Sequence, residues 1–161
     1  MPLQKIKALL ADRGIDYDII RHSRAFTSQK AAAAAHVPGW SFAKTVIADV
    51  EGQITMLVLP AACRVDFDKV REALGTQEVK LCSEREFRDL FPESELGAMP
   101  PLGNLYDIPV WVDSTLTDRE KIAFMAGSHS ELVRIPYADF EAIVQPHVAS
   151  FARSRKSQQS S

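Results

Sequence analysis

Cysteine is scarce in this chain, which has only two, Cys63 and Cys82, among 161 residues. They lie outside any Cys-x-x-Cys spacing, so the sequence predicts neither a disulfide framework nor a zinc site. A domain of this length buries about 70% of the surface that its unfolded chain exposes, and its core can carry the fold without cross-links. We therefore expect two ordinary buried thiols in a reducing compartment.

Long hydrophobic runs and a large net charge are also lacking. No segment approaches the ~18 consecutive apolar residues that a membrane span needs, and the first residues alternate charged and apolar side chains too early for a signal peptide. The net charge of −2 excludes the strongly basic proteins that coat nucleic acid without specificity. The sequence predicts a soluble cytoplasmic protein with at most local contacts to nucleic acid.

The common catalytic and cofactor-binding motifs are absent. The sequence has no GxxxxGK, GxGxxG, HExxH or GxSxG motif. Metal-ligand spacing is also missing among its four histidines, which are His22, His36, His129 and His147. Nucleotide hydrolysis, dinucleotide binding, zinc chemistry and the α/β-hydrolase mechanism are therefore disfavoured, and no metal or cofactor is expected.

The hydrophobic pattern predicts helices interleaved with strands. The predicted helices cover residues 3–10, 31–35, 67–74, 83–91 and 137–144, and the predicted strands cover 15–19, 43–50, 54–59, 79–81, 110–112, 122–125 and 132–135. Several strands follow one another through turns, which excludes a purely parallel sheet. We predict one α+β domain over residues 1–150, with a mixed, mostly antiparallel sheet packed against helices, and a polar, disordered tail over 151–161.

Glycine and proline concentrate in one segment, Leu96 to Tyr106, which contains two of each. Four of the seven glycines have a cap or a turn to explain them, whereas Gly97, Gly103 and Gly127 do not. Because proline fixes φ and glycine permits close approach, the segment could hold a rigid loop that presents backbone groups to a ligand. An ordinary connector is the alternative.

Lys44 is another candidate, because period-2 alternation places it on the apolar face of a predicted strand. Such a lysine could bond a phosphate or a developing oxyanion in a partly dry pocket, although most such side chains extend to water. His129 follows Gly127-Ser128 in a turn between strands and could reach the same space. A loop histidine is more often simply exposed.

Cationic side chains cluster between Arg21 and Lys44, a stretch that contains no acidic residue. The stretch also includes His22, Arg24 and Lys30. A solvated basic edge is the simpler explanation. A local contact surface for nucleic acid is the functional one.

These residues together resemble the YbaK/ProX family, the free-standing relatives of the editing domain inserted in bacterial prolyl-tRNA synthetases. The resemblance runs from His22 to Pro146. It rests on four segments in order, which are His22 with Thr27, Phe42-Ala43-Lys44-Thr45-Val46-Ile47, Gly97-Ala98-Met99-Pro100-Pro101-Leu102-Gly103, and Ala126-Gly127-Ser128-His129. Each segment alone is weak, and their order and spacing together are specific for the family.

The resemblance implies a trans-acting aminoacyl-tRNA deacylase. Its expected substrate is the ester of a small mischarged amino acid, Ala, Cys, Ser or Thr, on tRNA, foremost tRNA specific for proline. The family fold is a mixed sheet packed with helices, without a metal. Water attacks with help from the ribose hydroxyl beside the ester, while the protein supplies positioning and oxyanion stabilisation. The expected partner is the 3′ end of an aminoacyl-tRNA, and prolyl-tRNA synthetase is a candidate second partner.

The resemblance also implies roles for individual residues. Lys44 matches the family lysine that holds the 3′-terminal nucleotide, and the segment from Gly97 to Gly103 matches the loop that frames the scissile ester. The candidate catalytic residues are Lys44, Gly97 and Gly103. The candidate substrate-binding residues are His22, Thr27, Thr45, Ala98, Met99, Pro100, Pro101, Gly127, Ser128 and His129. The candidate tRNA-binding residues are Arg21, Arg24 and Lys30.

Two questions stay open at the level of sequence. Thr45 follows the lysine as in cysteine-clearing members, whereas Gly127-Ser128-His129 is closer to the alanine-clearing group, so the amino acid is not fixed. The alternative to an enzyme is a non-catalytic module that binds a tRNA end, a synthetase or a small ligand. We predict that His129 is a wall that limits the size of the amino acid and not a general base, because only Glu131 stands near it in sequence to orient it.

Overall fold

The computed structural model describes residues 2–95 and 97–154. Its helices are α1 (Pro2–Asp12), α2 (Ser28–Ala34), α3 (Phe67–Leu74), α4 (Glu84–Phe87), α5 (Ser114–Thr117) and α6 (Tyr137–Val144), with short 3-10 helices at Gly39–Ser41, Arg88–Leu90 and Gly103–Leu105. Its strands are β1 (Asp18–Arg21), β2 (Ala43–Val50), β3 (Gln53–Pro60), β4 (Cys63–Val65), β5 (Val79–Leu81), β6 (Val110–Asp113), β7 (Lys121–Met125), β8 (Glu131–Pro136), β9 (His147–Ala149) and β10 (Ala152–Ser154). No helix in the two described ranges is long and apolar enough to cross a membrane.

A five-stranded mixed sheet forms the centre of the fold, with the strand order β5-β2-β3-β6-β9. β2 and β3 form the predicted antiparallel hairpin, in which Lys44 pairs with Leu59 and Val50 with Gln53. β6 and β9 extend the sheet in parallel. A three-stranded antiparallel sheet, β1-β8-β7, and a two-stranded sheet, β10-β4, complete the architecture. The predicted single-domain α+β fold with a mixed, mostly antiparallel sheet is confirmed.

Apolar residues cover both faces of the five-stranded sheet. Ala43 and Ile47 of β2 pack in the main core with residues of α1 and α6, and Ala48 packs on the opposite face with residues of α3. A parallel bridge joins Phe42 to Ala123, and both residues belong to a third apolar cluster that includes α2. The start of β2 therefore lies beside β7, the strand that leads into residues 126–129.

Helix α3 begins and ends where its sequence signals predict, and α4 begins where its signal predicts. The predicted helix over 83–91 is too long, because α4 ends at Phe87 and a 3-10 helix covers Arg88–Leu90. The Asp66 carboxylate accepts hydrogen bonds from two backbone N–H groups at the start of α3, and Gly75 at φ 69° ends that helix. Ser83 and Glu86 form a capping box at the start of α4. These signals act within a few residues, so they are readable before the fold is known.

Ahead of the alanine run at 31–35, the sequence favours Ser28 as the cap of the helix, but Thr27 caps α2. The Thr27 Oγ1 accepts a hydrogen bond of 3.1 Å from the Lys30 N–H, and Ser28 is the first helical residue. Both hydroxyl side chains can cap a helix. The extended backbone of Thr27, with φ −116° and ψ 152°, decides between them.

The first strand lies later in the chain than the alternation at residues 15–19 predicts. The Ile15 N–H donates a hydrogen bond of 2.9 Å to the Leu10 carbonyl oxygen, so this residue closes the end of α1. β1 covers Asp18–Arg21, where all four residues pair with β8. Pairing with a distant strand sets these bounds, and local alternation does not.

The packed domain extends beyond residue 150, the boundary that the sequence predicts. Phe151 is fully buried, and its N–H donates a hydrogen bond of 2.8 Å to Asp113 Oδ1. Residues Ala152–Ser154 form β10 on β4. The tail is polar apart from Phe151, so its composition does not indicate that this residue is buried. The packed domain extends to residue 154. The remainder of the predicted tail, 155–161, lies outside the described residues, as do Met1 and Leu96.

Candidate active site

Two segments that the sequence singles out lie side by side. The Glu95 N–H donates a hydrogen bond of 2.8 Å to the Gly127 carbonyl oxygen, and the Gly127 N–H donates one of 2.9 Å to the Ala98 carbonyl oxygen. The His129 N–H donates a hydrogen bond of 3.1 Å to Glu95 Oε1. These bonds join the start of the glycine–proline loop (residues 97–103) to the β7–β8 turn (residues 126–130).

Gly97 lies directly opposite the His129 ring. A β-carbon at position 97 would be 3.5 Å from His129 Cε1. The Gly97 φ of 83° and the Gly127 φ of 100° lie in the left-handed region that favours glycine. His129 itself is buried, with 4% of its surface exposed. His129 therefore lies beside the glycine–proline loop, and its role as a wall stays a prediction.

The segment after β1 packs against the same turn. The His22 N–H donates a hydrogen bond of 3.0 Å to the Ser130 carbonyl oxygen, and the Ala25 N–H donates one of 3.1 Å to the His129 carbonyl oxygen. The Phe26 ring packs on the His129 ring, with their centroids 5.0 Å apart. Residues 22–27, 95, 97–98 and 126–130 thus form one group, called here the three-loop cluster.

Glu95 joins the three loops, although it belongs to none of the motifs in the sequence. Besides the His129 N–H, its carboxylate accepts a hydrogen bond from Arg24. Partial burial raises the pKa of Glu95, but the hydrogen bonds from the His129 N–H and Arg24 outweigh it and hold that pKa below its ordinary value. Its only sequence signal is its position two residues before Gly97, since Arg24 is 71 positions away.

Lys44 lies near the start of β2 and is half-buried. Its Nζ donates a hydrogen bond of 2.6 Å to the Cys63 carbonyl oxygen at the start of β4. The bridge between Phe42 and Ala123 of β7 lies two residues before Lys44. The apolar character of its strand face is confirmed by the packing of Val46, Ala48 and Val50 in one cluster.

Thr45 and His22 carry buried polar atoms that could meet a substrate. The Thr45 Oγ1 and the His22 Nε2 have no hydrogen-bond partner among the residues that the structure describes. The other ring nitrogen of His22, Nδ1, donates a hydrogen bond of 2.7 Å to the Ser23 carbonyl oxygen. Buried polar atoms without partners are uncommon, so these two support the prediction that both residues bind substrate.

The side chains of the glycine–proline loop are buried. Ala98, Met99, Pro100 and Pro101 are all buried, and Ala98 packs in the cluster that includes α2. Gly97, by contrast, is exposed. These four side chains pack within the protein. We therefore predict that this part of the loop contacts substrate through its backbone atoms.

Gly103 lies in a tightly packed position that no local sequence pattern indicates. A β-carbon at this position would lie 2.3 Å from the Ile108 carbonyl oxygen and 2.4 Å from Val110 Cγ2. Glycine is therefore needed for packing within the chain. This contact gives Gly103 a role in packing, and its role beside a ligand stays a prediction.

The hydroxyl groups of Thr27 and Ser128 are engaged within the protein. Thr27 caps α2, and the Ser128 Oγ donates a hydrogen bond of 3.2 Å to Glu131 Oε1. The two cysteines, Cys63 and Cys82, are buried. Burial raises the pKa of the Cys82 thiol above its ordinary value. No group of three or more His, Cys, Asp and Glu side chains that could hold a metal occurs among the described residues.

The predicted cationic stretch meets acidic residues in three dimensions. Arg24 pairs with Glu95, and Arg21 Nε lies 3.7 Å from Glu131 Oε2. Lys30 is exposed on α2. All three cations are accessible to a polyanion, but two of them are partly neutralised.

Comparison with known proteins identifies the family. The aminoacyl-tRNA editing domain matches residues 22–143, a range that includes Lys44 and the whole three-loop cluster. This chain belongs to the aminoacyl-tRNA editing domain family. The predicted YbaK-like resemblance is confirmed, and aminoacyl-tRNA deacylase, the predicted enzyme class, is the activity of this family.

Relatives of this editing domain match it along nearly its whole length. It is 27% identical to the multifunctional Ser/Thr-tRNA deacylase ProXp-y of Escherichia coli K12, over 94% of this chain and 93% of the relative. A crystal structure described as a candidate trans-editing enzyme for prolyl tRNA synthetase has a TM-score of 0.79 and 19% identity, covering 95% of this chain and 98% of that one. The crystal structure of a hypothetical protein has a TM-score of 0.81 and 23% identity, covering 92% and 99%. At these identities, the two structures support the fold alone.

Proposed function

We propose that this editing domain hydrolyses the ester between tRNA and a small amino acid, with serine and threonine first and alanine and cysteine as the other candidates. The proposal rests on the closeness of the exposed Gly97 to the buried His129. A β-carbon at position 97 would lie 3.5 Å from Cε1 of the His129 ring. A ring at this distance leaves little room for a large side chain beside the loop. The name of the relative, Ser/Thr-tRNA deacylase, supports the order of the amino acids.

The proposed reaction needs no protein nucleophile. A water molecule adds to the ester carbonyl, the bond to the ribose oxygen breaks, and the amino acid and the free 3′ hydroxyl of the tRNA leave. The ribose hydroxyl beside the ester assists the water, and the protein contributes positioning and charge. The internal hydrogen bonds of Thr27 and Ser128 and the burial of the cysteines support this division of roles.

Lys44 supplies the charge in this proposal. Its ammonium group holds the 3′-terminal nucleotide through a phosphate or stabilises the developing oxyanion. The hydrogen bond to the Cys63 carbonyl oxygen fixes the direction of its side chain, and half-burial strengthens its field at the site. A fixed, partly desolvated ammonium group makes stronger charge-assisted hydrogen bonds than the ammonium group of a mobile surface lysine.

The whole chain has a net charge of −2, so the proposed contact with tRNA is confined to a local group of cations. Arg21, Arg24 and Lys30 are the proposed contacts with the tRNA backbone beside the three-loop cluster. We propose tRNA specific for proline as the first tRNA to test, and prolyl-tRNA synthetase as the second partner.

A deacylation panel tests the proposal. The wild-type protein is given tRNA specific for proline charged in turn with Ser, Thr, Ala, Cys and Pro, and the same amino acids on a second tRNA test the tRNA preference. We expect rapid hydrolysis for the small amino acids and little for proline. Binding of the charged tRNAs without hydrolysis of any ester would instead favour a non-catalytic module.

His129→Ala separates a wall from a general base. Removing a wall enlarges the space beside Gly97, so the variant should keep activity on the small substrate and gain it on prolyl-tRNA, since size discrimination amounts to about 1–3 kcal/mol per methylene. Removing a general base would lower every rate by a similar factor of about 100 to 10,000 and abolish one limb of the pH–rate profile. Uniform loss on all substrates would place His129 among the catalytic residues.

A further inference from the structure

Phe26 is a large aromatic side chain that the fold leaves in solvent. It is 67% exposed, the highest value among the exposed large hydrophobic residues of the described chain, of which Leu81 is next at 60%. Phe26 precedes Thr27, the cap of α2, and lies within the three-loop cluster. The main core and the two smaller apolar clusters do not include it.

The Phe26 ring is nonetheless held in place by two neighbours. Its centroid is 5.0 Å from that of His129, at an interplanar angle of 48°. The guanidinium carbon of Arg24 lies 5.2 Å from the same centroid, a cation–π distance. Arg24 is fixed in turn by Glu95. The ring is therefore oriented before any ligand arrives, while most of its surface stays accessible.

We propose that the exposed surface of Phe26 is a stacking platform for an unpaired base at the 3′ end of the tRNA. The proposal rests on the proposed function and adds a base-binding residue to it. Aromatic side chains in a cationic groove are the usual means of holding single-stranded nucleic acid, because every base has a π face. Phe26 combines such a face with the cations Arg21, Arg24 and Lys30 nearby in the chain.

The position of Phe26 fits a base close to the reacting ester. Phe26 packs on one side of His129, and Gly97 stands against the ring of the same residue. If the amino acid lies beside Gly97, the nucleotides that carry it leave the site past Phe26. A stacked base there fixes the direction of the strand and positions the ester without taking part in the chemistry.

A protein partner is a poorer match for this surface. Stable protein interfaces bury about 800 Å² per partner and have an apolar centre. Phe26 is a single apolar side chain between the charged Arg24 and the polar cap Thr27, with Arg21 and Lys30 also exposed. An isolated ring beside the Arg24 guanidinium, with Arg21 and Lys30 close in the chain, suits a base and its phosphates.

Binding of a short RNA ending in CCA tests the platform without any need for catalysis. Phe26→Trp provides a fluorescent ring at the site, and stacking of a base should quench its emission while keeping the affinity. Phe26→Leu retains apolar bulk against His129 but lacks a π face, so it should bind the RNA about 5- to 150-fold more weakly, as should Phe26→Ala. Leu81→Ala, an exposed apolar residue on β5, is the matched control and should bind normally.

An RNA with abasic nucleotides in place of the unpaired bases completes the test. Wild type and Phe26→Leu should bind the abasic RNA with the same affinity, because the lost interaction is with a base. Equal binding of the intact RNA by wild type and both variants would overturn the proposal. A deacylation panel that shows no hydrolysis by wild type rejects the proposed function separately, since the RNA titration still decides the role of Phe26.

With mischarged tRNA as substrate, the kinetic effect should fall on binding. Phe26→Leu should raise KM by a similar factor and leave kcat within about twofold, because uniform binding is lost and no transition-state contact is removed. Phe26→Trp should restore KM. A fall in kcat with KM unchanged would contradict a stacking platform.

Discussion

Lys44 and Gly97 can each be tested by a single substitution, because the structure shows what each one contacts. Lys44→Ala removes a fixed charge and the hydrogen bond to the Cys63 carbonyl oxygen. We expect kcat/KM for the best substrate to fall about 30- to 1000-fold, the loss of about 2–4 kcal/mol of transition-state stabilisation. The free energy of unfolding should fall by only about 1 kcal/mol, the net value of one hydrogen bond.

Lys80→Ala, at an exposed position of β5, is the control for loss of a lysine charge. It should leave both measurements near wild type. Turnover of Lys44→Ala close to wild type would remove Lys44 from the site.

Gly97→Ala adds one methyl group where the loop faces His129. The φ of 83° makes any side chain there unfavourable by roughly 1–2 kcal/mol, and the new β-carbon would fill the gap 3.5 Å from the ring. We expect kcat/KM to fall at least about tenfold, since misplacing a substrate by 1 Å can lower the rate about a hundredfold. Deacylation kinetics and thermal unfolding measured together test this prediction.

Gly52→Ala is the matched control for backbone strain. Gly52 has a φ of 86° in the β2–β3 turn, and nothing lies within 4 Å of its missing β-carbon. Both variants should lose similar stability, and only Gly97→Ala should lose activity. If both variants keep normal kinetics, the loop does not approach the ester at Gly97.

At the scale of structural elements, Glu95 links the glycine–proline loop, the β7–β8 turn and the segment after β1. Its pKa is held below the ordinary glutamate value of about 4.3. A carboxylate with a lowered pKa in the folded state contributes stability above the ordinary value and loses it as the pH falls through the folded pKa. Glu95→Gln should therefore be less stable than wild type near pH 7, and this difference should shrink below about pH 4.

Urea unfolding of wild type and Glu95→Gln between pH 3 and pH 7 measures that difference. Glu72→Gln, at an exposed position of α3, shows the effect of removing a carboxylate charge alone. A difference that stays constant from pH 7 to pH 3 would mean that the charge of Glu95 does not hold the three loops together.

At the scale of the whole molecule, the chain end closes the fold through Phe151. This side chain is fully buried in the cluster with Leu57 and Val70. Phe151→Ala should destabilise the protein by about 3–5 kcal/mol, which lowers Tm by about 6–20 °C in a domain of this size. Val148→Ala, 46% exposed on β9, is the control. A fall in Tm no larger than that of the control would mean that Phe151 is not part of the packed domain.

The sequence by itself determined the features that act over short distances. The bounds of α3 and α6, the capping box of α4 and the β2–β3 hairpin agree with the structure, because caps, turns and hydrophobic periodicity are local. The order of four short motifs indicated the family, which matches residues 22–143. The sequence also indicated Gly97, Gly127 and His129 as candidate site residues, and the fold brings these three residues together.

Only the tertiary structure decided the features that depend on distant partners. The link from Glu95 to Arg24 spans 71 positions, β1 takes its bounds from pairing with β8, and Phe151 is buried by strands far from it in sequence. The same holds for Gly103, whose missing side chain makes room for Ile108 and Val110. A local pattern records the propensity of a segment but not the neighbour it will meet, so these contacts are fixed only when the chain packs.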